Sequence, residues 1–311
     1  MNYSLPLLIL LNVANCQSNQ TTAEKTRDTT RQTVPYDLSK PDATLEMPAE
    51  LTEISGLSLS PSAPDQLCAV QDEQGILFFL DKKTGAVTAK IPFETKGDFE
   101  GLEVVGQSAY VVKSSGALYE VKKFDTPTPT VRIIKSSLTK KNNLEGLGYD
   151  AATNSLLLAC KDAGGNTETF VREVYSFSLK TMELNKKPTY SISNQQMATF
   201  IKSNATALDV EDFGAYLQPD EAEGWKFGPS AIAVHPISHA IYLLSSVGKI
   251  LVVLDHDSGN IIGMQKLSKK NQTQPEGIVF DSDGTLYISN EGKKGTAGNI
   301  QRFKMCEKQS N

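Results

Sequence analysis

The sequence predicts an all-β protein built from five copies of one antiparallel unit. A short motif, a small residue followed by alternating apolar positions, recurs five times along the 311 residues. The small residues stand at positions 56, 101, 146, 231 and 277, so the successive intervals are 45, 45, 85 and 46 residues. Alternation with a period of two is the pattern of strands, and it excludes a solenoid of helices. Units of four strands at this spacing are typical of the blades of a β-propeller.

Each copy continues with a turn and a second apolar strand. These second strands are predicted at residues 66–71, 109–113, 155–161, 240–245 and 285–290. Third strands are predicted at residues 76–80, 117–121, 173–179 and 249–254, with a fainter one at 299–303. Turns such as Asn154-Ser155 and Asp283-Gly284 carry residues that tight hairpins need. Each unit is therefore predicted to be a meander of three or four strands.

The two ends of the repeat region are expected to meet in one blade. The last copy stops after its third strand, and residues 43–48 precede the first copy. That N-terminal segment can supply the outer strand that the last copy lacks, which closes the ring and leaves no exposed sheet edge. The propeller is therefore placed at residues 44–306, followed by a short tail at 307–311.

One interval is longer than the others by about 40 residues. The extra residues contain an outer-strand candidate at 188–193, a stretch with helical spacing at 194–203 and then an acidic loop. The small-residue motif does not recur among them. The prediction is five blades with an insertion after the third blade, at about residues 194–228. The alternative is a six-bladed propeller whose extra blade lies in this interval.

The N-terminal region indicates export and a tether. Residues 5–14 form an apolar run too short to span a membrane as a helix, and Cys16 follows directly. The stretch Val13-Ala14-Asn15-Cys16 resembles a bacterial lipobox, although Asn15 stands where a smaller residue is usual. The prediction is a signal peptide at 1–15, lipidation at Cys16 and a flexible tether at 16–43, which has almost nothing apolar to bury. The alternative is an ordinary secretory signal with an incidental cysteine.

Composition excludes several classes of function. A net charge of −5 and a pI near 5.4 provide no electrostatic footprint for nucleic acid. A zinc site is not expected, since the chain has three His, four Cys and no CxxC motif. Cys68 and Cys160 lie within apolar strand patterns and are expected to be buried free thiols. The sequence carries no motif of a serine hydrolase, a zinc protease or a P-loop protein.

Three copies open with Glu-Gly, and Asn290-Glu291-Gly292 follows the last second strand. With the five-fold repetition, these features resemble the SdiA-regulated family of bacterial envelope proteins, over residues 45–303. The resemblance implies a five-bladed propeller, distantly similar to NHL-repeat propellers, with a bound calcium ion and no settled biochemical activity. Ser55 and Ser230 stand where the other copies have Glu, so a complete five-fold ring of carboxylates is not expected.

Glu100, Glu145 and Glu276 occupy one equivalent position at the entry of three first strands. The first strand of a blade lies nearest the axis, so these carboxylates are expected to converge and to raise one another's pKa values. A hard divalent cation relieves that repulsion, and calcium takes oxygen ligands. Further oxygen donors are expected from the ends of the second strands: Asp72, Asp162 and Asn290. The alternative is that each Glu caps backbone amides while each Gly lets the inner strands pack closely.

The predicted function is a calcium-binding propeller that acts as a binding or scaffold module. It is expected in the bacterial cell envelope, lipid-anchored and facing the periplasm or the surface. The expected partners are the membrane, through the lipid, and an unidentified small-molecule or protein ligand of a monomeric protein. The alternative is a calcium-dependent hydrolase, similar to six-bladed lactonase and phosphotriesterase propellers, in which the ion polarises an ester or phosphoryl oxygen.

Overall fold

The computed structural model describes residues 34–60, 62–163, 170–217, 226–293 and 295–306. In this part of the chain, five antiparallel sheets follow one another along the sequence, and each is a meander that starts at its inner strand. The predicted five-bladed β-propeller is confirmed. The predicted signal peptide, the lipidation residue Cys16 and most of the predicted tether lie outside the described residues.

The strands are numbered in chain order, and β1 (Ala43–Glu46) precedes the first blade. Blade one contains β2 (Ile54–Leu59), β3 (Gln66–Gln71), β4 (Ile76–Asp81) and β5 (Val87–Pro92). Blade two contains β6 (Phe99–Val105), β7 (Ser108–Lys113), β8 (Leu118–Lys122) and β9 (Thr130–Ile134). Blade three contains β10 (Leu144–Asp150), β11 (Ser155–Cys160) and β12 (Val171–Ser178), with an outer edge made of β13 (Glu183–Leu184) and β14 (Tyr190–Ser193). Blade four contains β15 (Ala231–Val234), β16 (Ile241–Ser245), β17 (Ile250–Leu254) and β18 (Ile261–Lys266). Blade five contains β19 (Pro275–Phe280), β20 (Leu286–Asn290), β21 (Asn299–Phe303) and the N-terminal β1.

The inner strands β2, β6, β10, β15 and β19 contact one another in cyclic order, which closes the ring around the axis. Glycine is required where they meet. A Cβ atom on Gly101 would lie 2.7 Å from the backbone oxygen of Glu145, and one on Gly56 would lie 2.5 Å from the backbone nitrogen of Leu102. Because backbone atoms of a neighbouring strand cannot move aside singly, any larger residue would force two blades apart.

The hydrophobic core lies between neighbouring blades. Between blades one and two, the ring of Phe93 packs edge to face on those of Phe99 and Tyr119, with centroids 5.1 and 5.9 Å away. Such contacts stabilise a core beyond the area that they bury. Cys68 and Cys160 are buried in these layers and form no disulfide, which confirms the prediction of buried thiols.

Blade five joins the two ends of the described chain. Strand β1 pairs antiparallel with β21, with Leu45 opposite Ile300, and both side chains are buried. The prediction that residues 43–48 supply the missing outer strand is confirmed. The ring is thus closed by hydrogen bonds between residues that lie more than 250 positions apart in the sequence.

The chain before β1, which we call the strap (residues 34–42), packs against blades four and five. Val34, Tyr36 and Leu38 are fully buried in the cluster that these two blades share. The Tyr36 hydroxyl donates to the carbonyl of Gly284 at 2.6 Å and lies 2.9 Å from Nε2 of His235. The predicted tether boundary at residue 43 is therefore too late. The reason is that three apolar side chains at alternate positions anchor a segment whose average composition is polar.

The insertion after blade three forms a helix, α1 (Asn194–Ser203), and a 3-10 helix (Val210–Tyr216). A capping box between Ser193 and Gln196 starts α1. The insertion packs on blade four through buried apolar residues such as Met197 and Phe213. Its described residues, 194–217 and 226–228, add no sixth sheet. Within the described ranges, no helix has both the length and the apolar character that crossing a membrane requires.

Candidate functional site: an acidic mouth on the propeller axis

The three repeat glutamates lie at β-bulges of their inner strands. In blade three the pairing register steps from Leu144 to Gly146 and skips Glu145. The same step skips Glu100 in blade two and Glu276 in blade five. A bulge removes one residue from the ladder and redirects its side chain. The bulges thus explain how three separate blades present a carboxylate at the same place, which we call the acidic mouth.

Glu145 and Glu276 line a small cavity on the axis. Its volume is about 10 Å³, which is space for about one water molecule. Aliphatic side chains line much of the rest: Leu57, Leu102, Leu147 and Ile278. The axis beside Glu145 and Glu276 is therefore narrow and has room for little more than one water molecule.

Burial, together with repulsion from neighbouring carboxylates, raises the pKa values of all three glutamates. Burial is the largest cause for Glu100, whose pKa rises to about 9, and the charges of Glu145, Asp98 and Glu276 add to it. Burial and the charge of Glu145 raise the pKa of Glu276 to about 8. Burial also raises the pKa of Glu145, against the opposing effect of Lys161. These carboxylates therefore belong to one electrostatic site in which holding several negative charges together is unfavourable.

Lys161 contacts this site with its ammonium group, and it was not among the residues predicted from the sequence. Its Nζ lies 2.8 Å from Oε1 of Glu145, which also accepts a hydrogen bond from Nδ2 of Asn143 at 3.1 Å. The other carboxylate oxygen of Glu145, Oε2, is buried and has no hydrogen-bond partner, and the whole residue is only 5% exposed. A buried oxygen of this kind is costly to leave unpaired, so it is suited to a cation or a donor group.

Two of the predicted rim residues share this property. Asp72, just after β3, and Asn290, at the end of β20, each have a buried Oδ1 with no hydrogen-bond partner. Burial, then the charge of Glu53, raises the pKa of Asp72 to about 6. Burial, then the charge of Asp72, raises the pKa of Glu291 to about 7. Asp72, Asn290 and Glu291 thus extend the acidic mouth along the ends of the second strands.

The remaining positions behave differently. Asp162 is exposed, and its link to the site is its charge, which contributes to the raised pKa of Glu145. Ser230, which stands where three blades have Glu, uses its hydroxyl to donate to the carbonyl of Pro275 at 2.8 Å. At the other serine position, the carbonyl of Ser55 accepts from the hydroxyl of Ser289 at 2.9 Å. Blades one and four therefore contribute contacts between strands here instead of carboxylates.

The donor set suits a hard cation. Among the described residues, no three or more His, Cys, Asp or Glu side chains are placed to hold one metal ion together. An ion at the mouth would therefore take at most two carboxylates directly. Calcium binds six to eight oxygens, which include amide, backbone carbonyl and water oxygens. The unpaired oxygens of Glu145 and Asn290 are donors of this kind, so the residues fit calcium in its oxygen chemistry.

A larger concavity, of about 570 Å³, lies at the opposite ends of the strands and is lined by Pro35, Ala152 and His256 among others. Nε2 of His256 lies 3.1 Å from Asp150, and its Nδ1 lies 2.9 Å from Asp257. Carboxylates thus hold both nitrogens of the imidazole, and neither is available to act as a general base. The acidic mouth is the better candidate for a functional site.

Comparison with solved structures finds one whose likeness supports the fold. A crystal structure of glutaminyl cyclase from Myxococcus xanthus aligns with a TM-score of 0.53 over 85% of this chain and 95% of that chain, at 13% identity. The PQQ-bound aldose sugar dehydrogenase from Streptomyces coelicolor aligns with a TM-score of 0.49 over 85% of this chain and 97% of that chain, at 11% identity. At 13% identity, the first likeness shows the fold alone. No curated protein sequence matches the chain.

The sequence pattern of one family matches the chain in two segments, residues 39–162 and 228–293. These segments include the strap's last residues, all three glutamates of the acidic mouth and Lys161. The stretch between them contains the outer part of blade three and the insertion. Because the matched residues make up more than half of the sequence, this chain belongs to the SdiA-regulated family.

Proposed function

We propose that this protein is a calcium-binding propeller that serves as a binding or scaffold module of the bacterial cell envelope. The observation that carries the proposal is the buried, unpaired Oε2 of Glu145, which lies in one electrostatic site with Glu100 and Glu276. A divalent cation satisfies that oxygen and offsets the repulsion that raises the pKa values of the three glutamates. These residues come from blades two, three and five, so an ion held by two of them would link two blades directly and would act on the third glutamate through its charge.

The ion's role in this proposal is to hold the mouth in a single arrangement. The cavity beside the glutamates is too small for more than about one water molecule, so the rim formed by the ends of the inner and second strands is the surface on which a small molecule or a protein would bind. A cation with water ligands can exchange those waters for oxygen atoms of a ligand. The acidic mouth would therefore select partners that carry oxygen donors or positive charge.

The proposed location rests on the sequence. An apolar run at residues 5–14 followed by Cys16 supports export and lipidation, and a net charge of −5 argues against a nucleic-acid partner. We propose that the propeller is a monomer held by a lipid at Cys16, on the periplasmic or the outer face of the envelope. A Cys16→Ser variant should lose labelling by radioactive fatty acid and move from the membrane fraction to the soluble fraction. Unchanged labelling and fractionation would contradict this part of the proposal.

The calcium proposal is tested on the purified protein after treatment with a chelator. A ligand at 100 times its Kd stabilises a protein by about 2.7 kcal/mol, and each kcal/mol raises the melting temperature by about 2–4 °C at this chain length. We expect calcium to raise the melting temperature by about 5–10 °C and to release or absorb heat in a calorimetric titration.

Two variants locate the effect. Glu145→Gln and Glu276→Gln keep the side-chain shape but remove one carboxylate each, and both should lose most of the calcium-dependent rise. The matched control is Glu183→Gln, an exposed glutamate on β13 of blade three, which should respond like the unmodified protein. The calcium proposal fails if the unmodified protein gives no binding heat, or if Glu183→Gln loses the rise as fully as Glu145→Gln.

A further inference from the structure

Lys161 is held in a defined position from two sides. Its backbone N–H donates to the carbonyl of Asn143 at 2.9 Å, which fixes the chain just after β11. Its side-chain stem passes close to Gly228, where a Cβ atom would lie 2.8 Å from Cγ of Lys161. The ammonium group then reaches Oε1 of Glu145 at 2.8 Å, and the side chain is 25% exposed. The ammonium is therefore a built-in part of the acidic mouth.

The same position in the other blades carries oxygen atoms. The second strands of the five blades can be aligned by their pairing with the inner strands. The residues at the position of Lys161 in this alignment are Asp72, Ser114, Lys161, Ser246 and Glu291. Four of these five side chains offer a carboxylate or a hydroxyl oxygen, which a hard cation accepts as a ligand. Lys161 alone offers a positive charge. Its charge also acts on Glu276 and Glu100, so its influence extends beyond the pair with Glu145.

We propose that Lys161 is an internal competitor of the metal: its ammonium occupies part of the cation site and thereby weakens the binding of divalent cations. This inference rests on the proposed function of the acidic mouth. A lysine ammonium and a calcium ion both seek the carboxylate of Glu145, and their like charges repel at this short range. A calcium ion at Oε2 of Glu145 then either opens the Lys161–Glu145 ion pair at Oε1 or binds against the repulsion of the neighbouring ammonium. Lys161 thereby raises the Kd for calcium, so the acidic mouth binds the ion only where its concentration is high.

The experiment measures calcium affinity by calorimetric titration of the full chain and of Lys161→Met, which keeps the stem but removes the charge. We expect the Kd for calcium to fall at least tenfold in Lys161→Met. Lys161→Gln, a second neutral variant, should show the same change, and circular dichroism checks that both are folded. The matched control is Lys202→Met, an exposed lysine at the end of α1, which should keep the unmodified affinity.

The outcomes separate the inference from the proposed function. If the unmodified protein binds calcium and Lys161→Met and Lys161→Gln bind it no more tightly, the inference is overturned while calcium binding stands. If only the two neutral variants bind calcium, the inference is supported and the calcium proposal fails for the unmodified protein. If no variant binds calcium, both are overturned. An equal gain of affinity in Lys202→Met would also overturn the inference, because the effect would then come from net charge.

Discussion

Replacing Glu145 and Lys161 singly and together measures how strongly this ion pair stabilises the propeller. Two unit charges 2.8 Å apart interact by about 6 kcal/mol at an effective dielectric constant of about 20. Removing both groups from water offsets much of that energy, and the side chain of Lys161 is still 25% exposed. We therefore expect a coupling energy of about 2 kcal/mol, in the upper part of the range for residues in contact.

The assay is urea unfolding of the unmodified protein, Glu145→Gln, Lys161→Met and the double variant, at pH 7.5 with a chelator. Each single variant should lower the free energy of unfolding by about 2–4 kcal/mol, because it leaves the other group buried without its counter-charge. The double variant should lose about 2 kcal/mol less than the sum of the two single losses.

The control cycle uses Glu50 and Lys90, an ion pair whose side chains are 38% and 45% exposed. Exposed pairs are screened by solvent, so its coupling energy should stay below about 1 kcal/mol. A coupling energy for Glu145 and Lys161 within about 0.5 kcal/mol of zero, the limit for independent sites, would refute the reasoning that this pair is a tight, largely buried contact.

Three further predictions concern the ring and the strap. Gly101→Ala places a Cβ 2.7 Å from a backbone oxygen and should lower the melting temperature in calorimetry by about 4–10 °C. The control is Gly214→Ala, whose Cβ meets open space and which should leave the melting temperature unchanged. Equal melting temperatures of the two variants would contradict the close approach of the inner strands. Tyr36→Phe leaves the carbonyl of Gly284 without its donor and should lower the free energy of unfolding by about 1–3 kcal/mol; unchanged stability would mean that the strap does not depend on this hydroxyl. Burial lowers the pKa of His235, so the folded protein favours the neutral imidazole. This contribution to the free energy of unfolding is fully present above about pH 6.5, the ordinary pKa of histidine, and is lost as the pH falls through the lowered folded-state pKa. Removing the titration in His235→Gln should flatten the fall in stability below about pH 6.5, and identical slopes in the two proteins would argue against this contribution.

Much of the fold could be predicted because a propeller repeats the same local pattern. Each copy of the motif, a small residue followed by alternating apolar positions, predicts the inner strand of one blade. Because the same motif recurs five times, each copy supports the assignment of the others. The closing strand was also predictable, since the last copy lacked an outer strand. The strap was not: Val34, Tyr36 and Leu38 are three apolar residues in a polar stretch, and their partners on blades four and five lie about 200 or more positions away.

The site was predictable only where it follows the repeat. Glu100, Glu145 and Glu276 share one motif position, and the sequence predicts their convergence from that position alone. Lys161 breaks the pattern of oxygen-bearing residues in a single blade, so a search for residues that the copies share does not find it. Asp162 differs from Asp72 in its placement, because it lies two residues beyond the end of its strand and its side chain is exposed, whereas Asp72 directly follows β3. The signal that could have found Lys161 is a lone cation in a column of Asp, Ser and Glu.

The strap decides which contacts carry mechanical load if the protein is held at its N-terminal end. A pull at residue 34 reaches the Tyr36 ring, which is packed among the side chains of two blades, before it reaches β1. Tension is therefore shared by several aromatic contacts at once and does not open the β1–β21 hydrogen bonds one after another from their free end. If the proposed lipid anchor holds the chain at its N-terminal end, these contacts would keep the ring closed under tension.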